Sequence, residues 1–307
     1  MSAAGTTVPR GGRLVRDVLS TGSARIGLAV LAVFLVAALF GAYLAPYGIS
    51  PTSGAKFQPP GNGHILGTDD VGVDVFSLLL HGARVSLLVG FAAAAVAMLI
   101  GGVVGVATGY FGGRTDSILM RVADYFLVIP DVPLMVVMAA LFGRSLGNII
   151  LIIGLIYWAG TARLIRAQTR SVRERLYVKR ARTLGAGHRR ILMHHVVPQV
   201  MPLLLANTVL MIAIGIYAET FVTFLGLGDP EAISWGSMLQ DSFAASAQTN
   251  GAWWTIVPPG LAVTVVIVGF TLVGQALEEE LNPRLRVGHL AVRRFRVRPL
   301  KGDLESD

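Results

Sequence analysis

Residues 85–113 read VSLLVGFAAAAVAMLIGGVVGVATGYFGG, an uncharged run of 29 residues between Arg84 and Arg114. As an α-helix such a run exceeds the roughly 20 residues that cross the hydrocarbon core of a bilayer. It does not alternate polar and apolar positions as a strand facing a barrel lumen must. Helices and closed barrels are the structures that satisfy their backbone groups within lipid. The stretch therefore predicts a membrane-spanning helix.

Five more apolar segments follow by the same reading, at 26–45, about 119–142, 145–162, 196–218 and about 252–277. The 119–142 segment carries Asp124 and Asp131 and is the least apolar. Arg10, Arg13 and Arg16 precede the first run, as in a secretory signal, but its apolar stretch is too long and no cleavage triplet follows, so it reads as a retained helix. The expectation is an all-α integral membrane protein of six spans. Its parts are an inner N-terminal segment (1–25), a first span with an outer loop (26–83), a five-span core (84–277) holding an inner loop near 168–196, and an inner tail (278–307). Composition agrees: 53% of the 307 residues are hydrophobic and 14% charged, against about a quarter charged in soluble domains. There is no cysteine, which removes thiolate metal sites and disulfide scaffolds.

With the N-terminus inside, 23 of the 26 Lys and Arg residues fall on inner segments. This positive-inside asymmetry places both termini in the cytoplasm and turns the net charge of +8 into a sign of orientation, which argues against nucleic-acid binding. The outer segments hold six acids (Asp69, Asp70, Asp74, Asp229, Glu231, Asp241) against Lys56 and Arg144, a balance suited to docking another protein. Asp69, Asp70 and Asp74 lack the glycine and terminal glutamate of a calcium loop, so no metal is expected.

On the inner side Arg163, Arg166, Arg170 and Arg173 recur at spacings of three, four and three, one face of a helix leaving the fourth span. A second helical stretch follows Leu176 and Tyr177, breaks at Gly185 and Gly187, and ends where Pro198 opens the fifth span. Such a basic face suits either anionic lipid headgroups or a cytoplasmic partner. Gly101, Gly105, Gly109 and Gly113 repeat every four residues and predict close helix packing, within the chain or against another subunit. Asp124, Asp131, between Pro130 and Pro133, and Glu219 are acidic groups inside spans; structural hydrogen bonding is the first expectation for Asp124 and Glu219, while Asp131 and Glu219 are the candidates for a transport path. A Gly-Lys-Ser/Thr phosphate loop is absent, and Gly143-Arg144-Ser145-Leu146-Gly147 spells a nucleophile elbow where no strand precedes the serine. The chain reads as no enzyme.

Several motifs, in this order, carry a resemblance. They are His64-Ile65-Leu66-Gly67-Thr68-Asp69-Asp70 with Gly72 and Asp74, Gly82-Ala83-Arg84-Val85-Ser86-Leu87, and Gly109-Tyr110-Phe111-Gly112-Gly113. Then come Ala181-Arg182-Thr183-Leu184-Gly185-Ala186, Val196-Val197-Pro198, Phe224-Leu225-Gly226-Leu227-Gly228, Ser234-Trp235-Gly236 and Leu281-Asn282-Pro283-Arg284. Over residues 20–287 the chain resembles the second (C-type) membrane subunit of bacterial ABC importers of the dipeptide/oligopeptide/nickel type. The resemblance implies the type I importer permease fold in the bacterial inner membrane. It implies a homologous second permease, two cytoplasmic ATPases that hold ATP and Mg while this chain binds no cofactor, and an extracytoplasmic substrate-binding protein.

The same resemblance assigns ATPase coupling to Tyr177, Lys179, Arg180, Ala181, Leu184, Gly185, Ala186, His195 and Pro198. It assigns binding-protein docking or the outer gate to Gly67, Thr68, Asp69, Asp70, Gly72, Asp74, Trp235 and Gly236. The chain departs from the family where Lys179-Arg180-Ala181 replaces Glu-Ala-Ala, where Val73 and Leu78 replace arginines, and at Asp131, usually small or apolar. A self-contained carrier driven by protons through Asp131 or Glu219 is the competing reading.

Overall fold

The computed structural model describes residues 21–49, 54–61 and 63–281. The basic N-terminal segment and the cations beyond Asn282 lie outside them. Five helices among the described residues have membrane length and hydropathy, and a bent pair supplies the sixth crossing. Helix α1 is Gly22–Leu44, α2 is Val75–Phe111, α3 is Gly113–Val128, α4 is Asp131–Phe142 and α5 is Leu146–Arg173. The short α6, Leu176–Thr183, and α7, His188–Ile191, lead through a wide π turn at Leu192–Val196 into α8, Val197–Val222. After an outer segment carrying α9, Trp235–Ala244, the chain returns through α10, Val257–Leu281.

The third span is not one helix. Helices α3 and α4 meet at 94°. Pro130 supplies no N–H and pushes the residue before it out of the helical region, and Ile129 is extended at ψ 129. Backbone bonding stops at Ile129 N–H to Tyr125 and resumes at Leu134 N–H to Pro130. Two other helix ends lie beyond the apolar runs, the second as the arginine spacing implies. Helix α2 starts ten residues before position 85, capped by Asp74, whose side chain accepts from the Ser77 N–H, and Arg84 sits on its exposed side. Helix α5 runs well past residue 162 and carries the arginine face outward, so the inner loop begins at Glu174 and not near 168.

The most extensive helix contact joins α2 to α5. A Cβ added at Gly101, Gly105 or Gly109 would stand 2.6, 2.6 and 2.7 Å from the carbonyl oxygens of Trp158, Ala162 and Arg166. The glycine stripe therefore packs within this chain. In lipid, burial of apolar surface does not drive such packing, and close backbone approach replaces it. Gly113 does not belong to the stripe: α2 ends at Phe111, Gly112 turns at φ +66, and a Cβ on Gly113 would meet nothing within 4 Å.

Candidate functional site

At the end of the bundle carrying the arginine face, Val178 of α6 and Ile191 of α7 are buried with Tyr110, Ile165, Val172, Val196 and Val200. These contacts pin a short hairpin to the spans. Helix α6 ends in a Schellman turn: Gly185 N–H bonds to Arg182 C=O and Ala186 N–H to Ala181 C=O, each at 3.0 Å, with Gly185 at φ +83. A side chain there would strain the left-handed backbone, and Leu184, just before the turn, is 87% exposed. Tyr110 OH lies 3.0 Å from His188 Nδ1, and the Arg182 guanidinium stands 5.7 Å over the Tyr110 ring. Tyr177 and His195 rings approach to 6.1 Å.

The coupling candidates thus gather on one protruding hairpin. Pro198 explains the wide turn before it, because its ring opposes the carbonyl four residues back. Lys179 pairs with Glu174 at 2.9 Å, and this hydrogen bond holds the Glu174 carboxyl below its usual value. Part of the charge reversal at Lys179 is therefore balanced inside the hairpin. Arg180 has no carboxylate partner among the described residues.

The docking or gate candidates lie at the other end of the bundle, and most of them are buried. Thr68, Asp74 and Trp235 are 0% exposed, and Gly67, Gly72 and Gly236 are buried. They are packed inside the lobe formed by the 54–75 loop and the 234–255 segment. Asp74 receives the Ser77 N–H and hydroxyl at 2.8 Å and lies 2.9 Å from His64 Nδ1. The indoles of Trp235 and Trp254 donate to the carbonyls of Leu79 and Thr68, each at 3.0 Å. A Cβ on Gly72 would fall 2.3 Å from the Gly54 carbonyl oxygen, which explains that glycine. Asp69 and Asp70 remain partly exposed and line one cleft with Asp241. Burial first, then neighbouring acids, raises the carboxyls of Asp69 and Asp241 above their ordinary range, although the Val73 and Val71 N–H groups oppose it at Asp69.

Of the two path candidates, Glu219 is 1% exposed and does not line an open surface. It accepts from the hydroxyls of Ser86 and Thr223 at 3.2 and 3.1 Å, and Ser86 Oγ also accepts the Trp235 N–H that opens α9. Glu219 is thus the knot joining α2, α8 and α9. Asp131 is partly exposed at the first turn of α4 and accepts from Tyr157 OH at 2.8 Å.

Sequence reasoning passed over two polar features. Asp116 and Asp124, eight residues apart on α3, clasp Arg166 and Arg163, three apart on α5; structural bonding is the sequence expectation for Asp124, while nothing in the sequence marks Asp116 and the unequal spacings give no signal of the pairing. Asn207 of α8 reaches Thr161 and Met98 at 3.2 and 3.4 Å inside the bundle, where a single asparagine in an apolar run gives little warning.

A bundle of apolar spans bearing an inner hairpin pinned by its own core is the architecture of a transporter's membrane subunit. Residues 101–287 match the family described as the binding-protein-dependent transport system inner membrane component, and the chain belongs to it. It is a non-catalytic permease subunit of an ABC transporter. Among its relatives are the oligopeptide transport system permease protein OppC and the dipeptide transport system permease protein DppC of Bacillus subtilis. Each is 34% identical over 265 residues, which is 86% of this chain and 86% and 82% of the respective relative. OppC of Mycobacterium tuberculosis is 34% identical over 278 residues, 89% of this chain and 94% of that protein.

Proposed function

We propose that this permease conducts di- or oligopeptides inward across the bacterial inner membrane, with both termini in the cytoplasm. It would work with a homologous second permease, two cytoplasmic ATPases that hold ATP and Mg, and an extracytoplasmic binding protein. The names of its relatives and the distribution of cations support that reading. The observation that carries the coupling role is the hairpin tip. Leu184 projects at 87% exposure from a Schellman turn whose own backbone bonds are complete, amid Arg180 and Arg182.

An isolated leucine on a basic surface fits an apolar pocket with an acidic rim on the ATPase. Movement of that ATPase on the nucleotide cycle is passed through α6 to α5 and α8, shifting the balance between inward- and outward-open arrangements. The self-contained carrier loses Glu219, which is sealed in a hydrogen-bonded knot, and the permease names of the relatives favour the ATP-driven reading over a path through Asp131.

Co-expression with the second permease and the ATPase pair tests the role of the tip. Leu184→Asp should leave this chain folded and paired with its fellow permease while the ATPases fall away or lose substrate-stimulated hydrolysis. Unchanged coupling in that variant, or nucleotide-free transport by the lone chain, would refute the assignment.

A further inference from the structure

The end of α2, the last turns of α5 and the start of α3 line an open-sided polar hollow of about 250 Å³. Arg166, Arg170 and Arg173 line it, together with the Gly112–Gly113 turn, Asp116 and Glu174. Asp116 binds Arg166 through both oxygens, so that pair is internally matched. Glu174 is held by Lys179 at 2.9 Å and stands 3.9 Å from Arg173. Arg170 has no carboxylate within ion-pair distance among the described residues. Arg173 reaches across to the turn: its Nη1 lies 3.2 Å from where a Cβ on Gly112 would stand. The cavity wall at Gly113 is also the first turn of α3, whose leading N–H groups have no partner within the helix.

The charge lining the hollow is therefore in positive excess, and its two least compensated groups are guanidiniums, half-buried Arg173 and exposed Arg170, whose forked donors match phosphate oxygens. Phe111 and Ile118, which flank the cavity in sequence, are 52% and 63% exposed. Apolar side chains beside a cationic pocket, at the level where a span leaves the bilayer, suit a molecule with a phosphate head and acyl tails. We propose that this cavity binds the phosphate of an anionic phospholipid. The site depends on α2, α3 and α5 lying in a membrane and on none of the partners invoked above. Its occupant would tie the α2–α3 turn to the last turn of α5, immediately before the hairpin.

The test uses the full-length protein in nanodiscs of phosphatidylcholine with graded phosphatidylglycerol, counting retained lipid by native mass spectrometry. Wild type should retain phosphatidylglycerol in preference, and R170Q/R173Q should lose that preference by about tenfold, the scale of losing two charge-assisted contacts. R121Q, an exposed change on α3 outside the cavity, should keep it. An unchanged preference in the double variant, or an equal loss in R121Q, would overturn the proposal. Should R170Q/R173Q fail to fold, R170K/R173K keeps the charge without the fork and should show a several-fold loss; full retention would overturn the site. A parallel arm adds inorganic phosphate to protein in pure phosphatidylcholine. Thermal stabilisation there equal to that given by phosphatidylglycerol would show a soluble anion as the ligand and sink the lipid assignment.

Discussion

Gly105→Ala probes the seam on which α5, and with it the inner hairpin, is mounted. The new methyl would stand 2.6 Å from the Ala162 carbonyl oxygen and 2.8 Å from Ile165 Cβ. An ordinary C···O contact is about 3.3 Å, so the two helices must part by about 0.7 Å. A gap of that size forfeits between a quarter and a half of each contact worth about 0.1–0.2 kcal/mol, over some tens of atom pairs along the seam. The expected loss is about 1–3 kcal/mol, the range of overpacked cores. Gly101 lies one turn away and faces the Trp158 carbonyl oxygen at the same 2.6 Å, so the displacement that admits one methyl largely admits the other. The Gly101→Ala/Gly105→Ala double variant should then cost about 1 kcal/mol less than the sum of the single variants. Equilibrium unfolding of the full-length protein by SDS in mixed micelles measures all three. A cost below about 0.5 kcal/mol for the single change, or strict additivity in the pair, would refute the carbonyl-contact account.

Glu219→Ala should destabilise by about 2–4 kcal/mol in the same assay, because it strands the hydroxyls of Ser86 and Thr223, whereas Glu219→Gln should cost about 1 kcal/mol. Thr169→Val should be neutral or stabilise by up to about 1 kcal/mol, since Thr169 Oγ1 is buried without a hydrogen-bond partner among the described residues. Asp241→Asn tests the outer acidic cleft. The Asp241 carboxyl is raised above its ordinary 3.8, so the fold favours the neutral acid, and that contribution is complete at low pH and lost as pH rises through the raised value. The asparagine should therefore raise thermal stability at pH 7, by at most about 0.5 kcal/mol for a group partly open to water, with the gain vanishing near pH 4. A gain equal at both pH values would exclude a charge origin.

Uncharged runs as long as 85–113 state their own environment, and the arginine spacing from Arg163 to Arg173 rightly carried α5 beyond the apolar region. Helix ends were less readable: Arg84 reads as a boundary but lies on an exposed helical face, so α2 continues past it. The prolines at 130 and 133 announce a disturbance, while its 94° angle comes from how Met135 and Ala139 of α4 pack with Ile149, Ile152 and Ile153 of α5. A repeat of four ran through Gly113 in letters but ended at Phe111 in space, because Gly112 adopts a left-handed φ. Trp235 and Thr68 show the deeper limit. Motif position marks a residue as needed without saying whether it faces a partner or its own lobe, and burial decides that.

The elbow at Pro130 divides one crossing into two levers. With the backbone ladder already interrupted there, swivelling about it sacrifices no helical hydrogen bond. Clasps at Arg163 and Arg166 fasten the lower lever to α5 by charge, and the upper lever rests on the apolar shoulder of the same helix around Ile152. Both halves of the third span are thus moored to α5, so a displacement of that helix reaches each of them, while the elbow leaves them free to change their mutual angle.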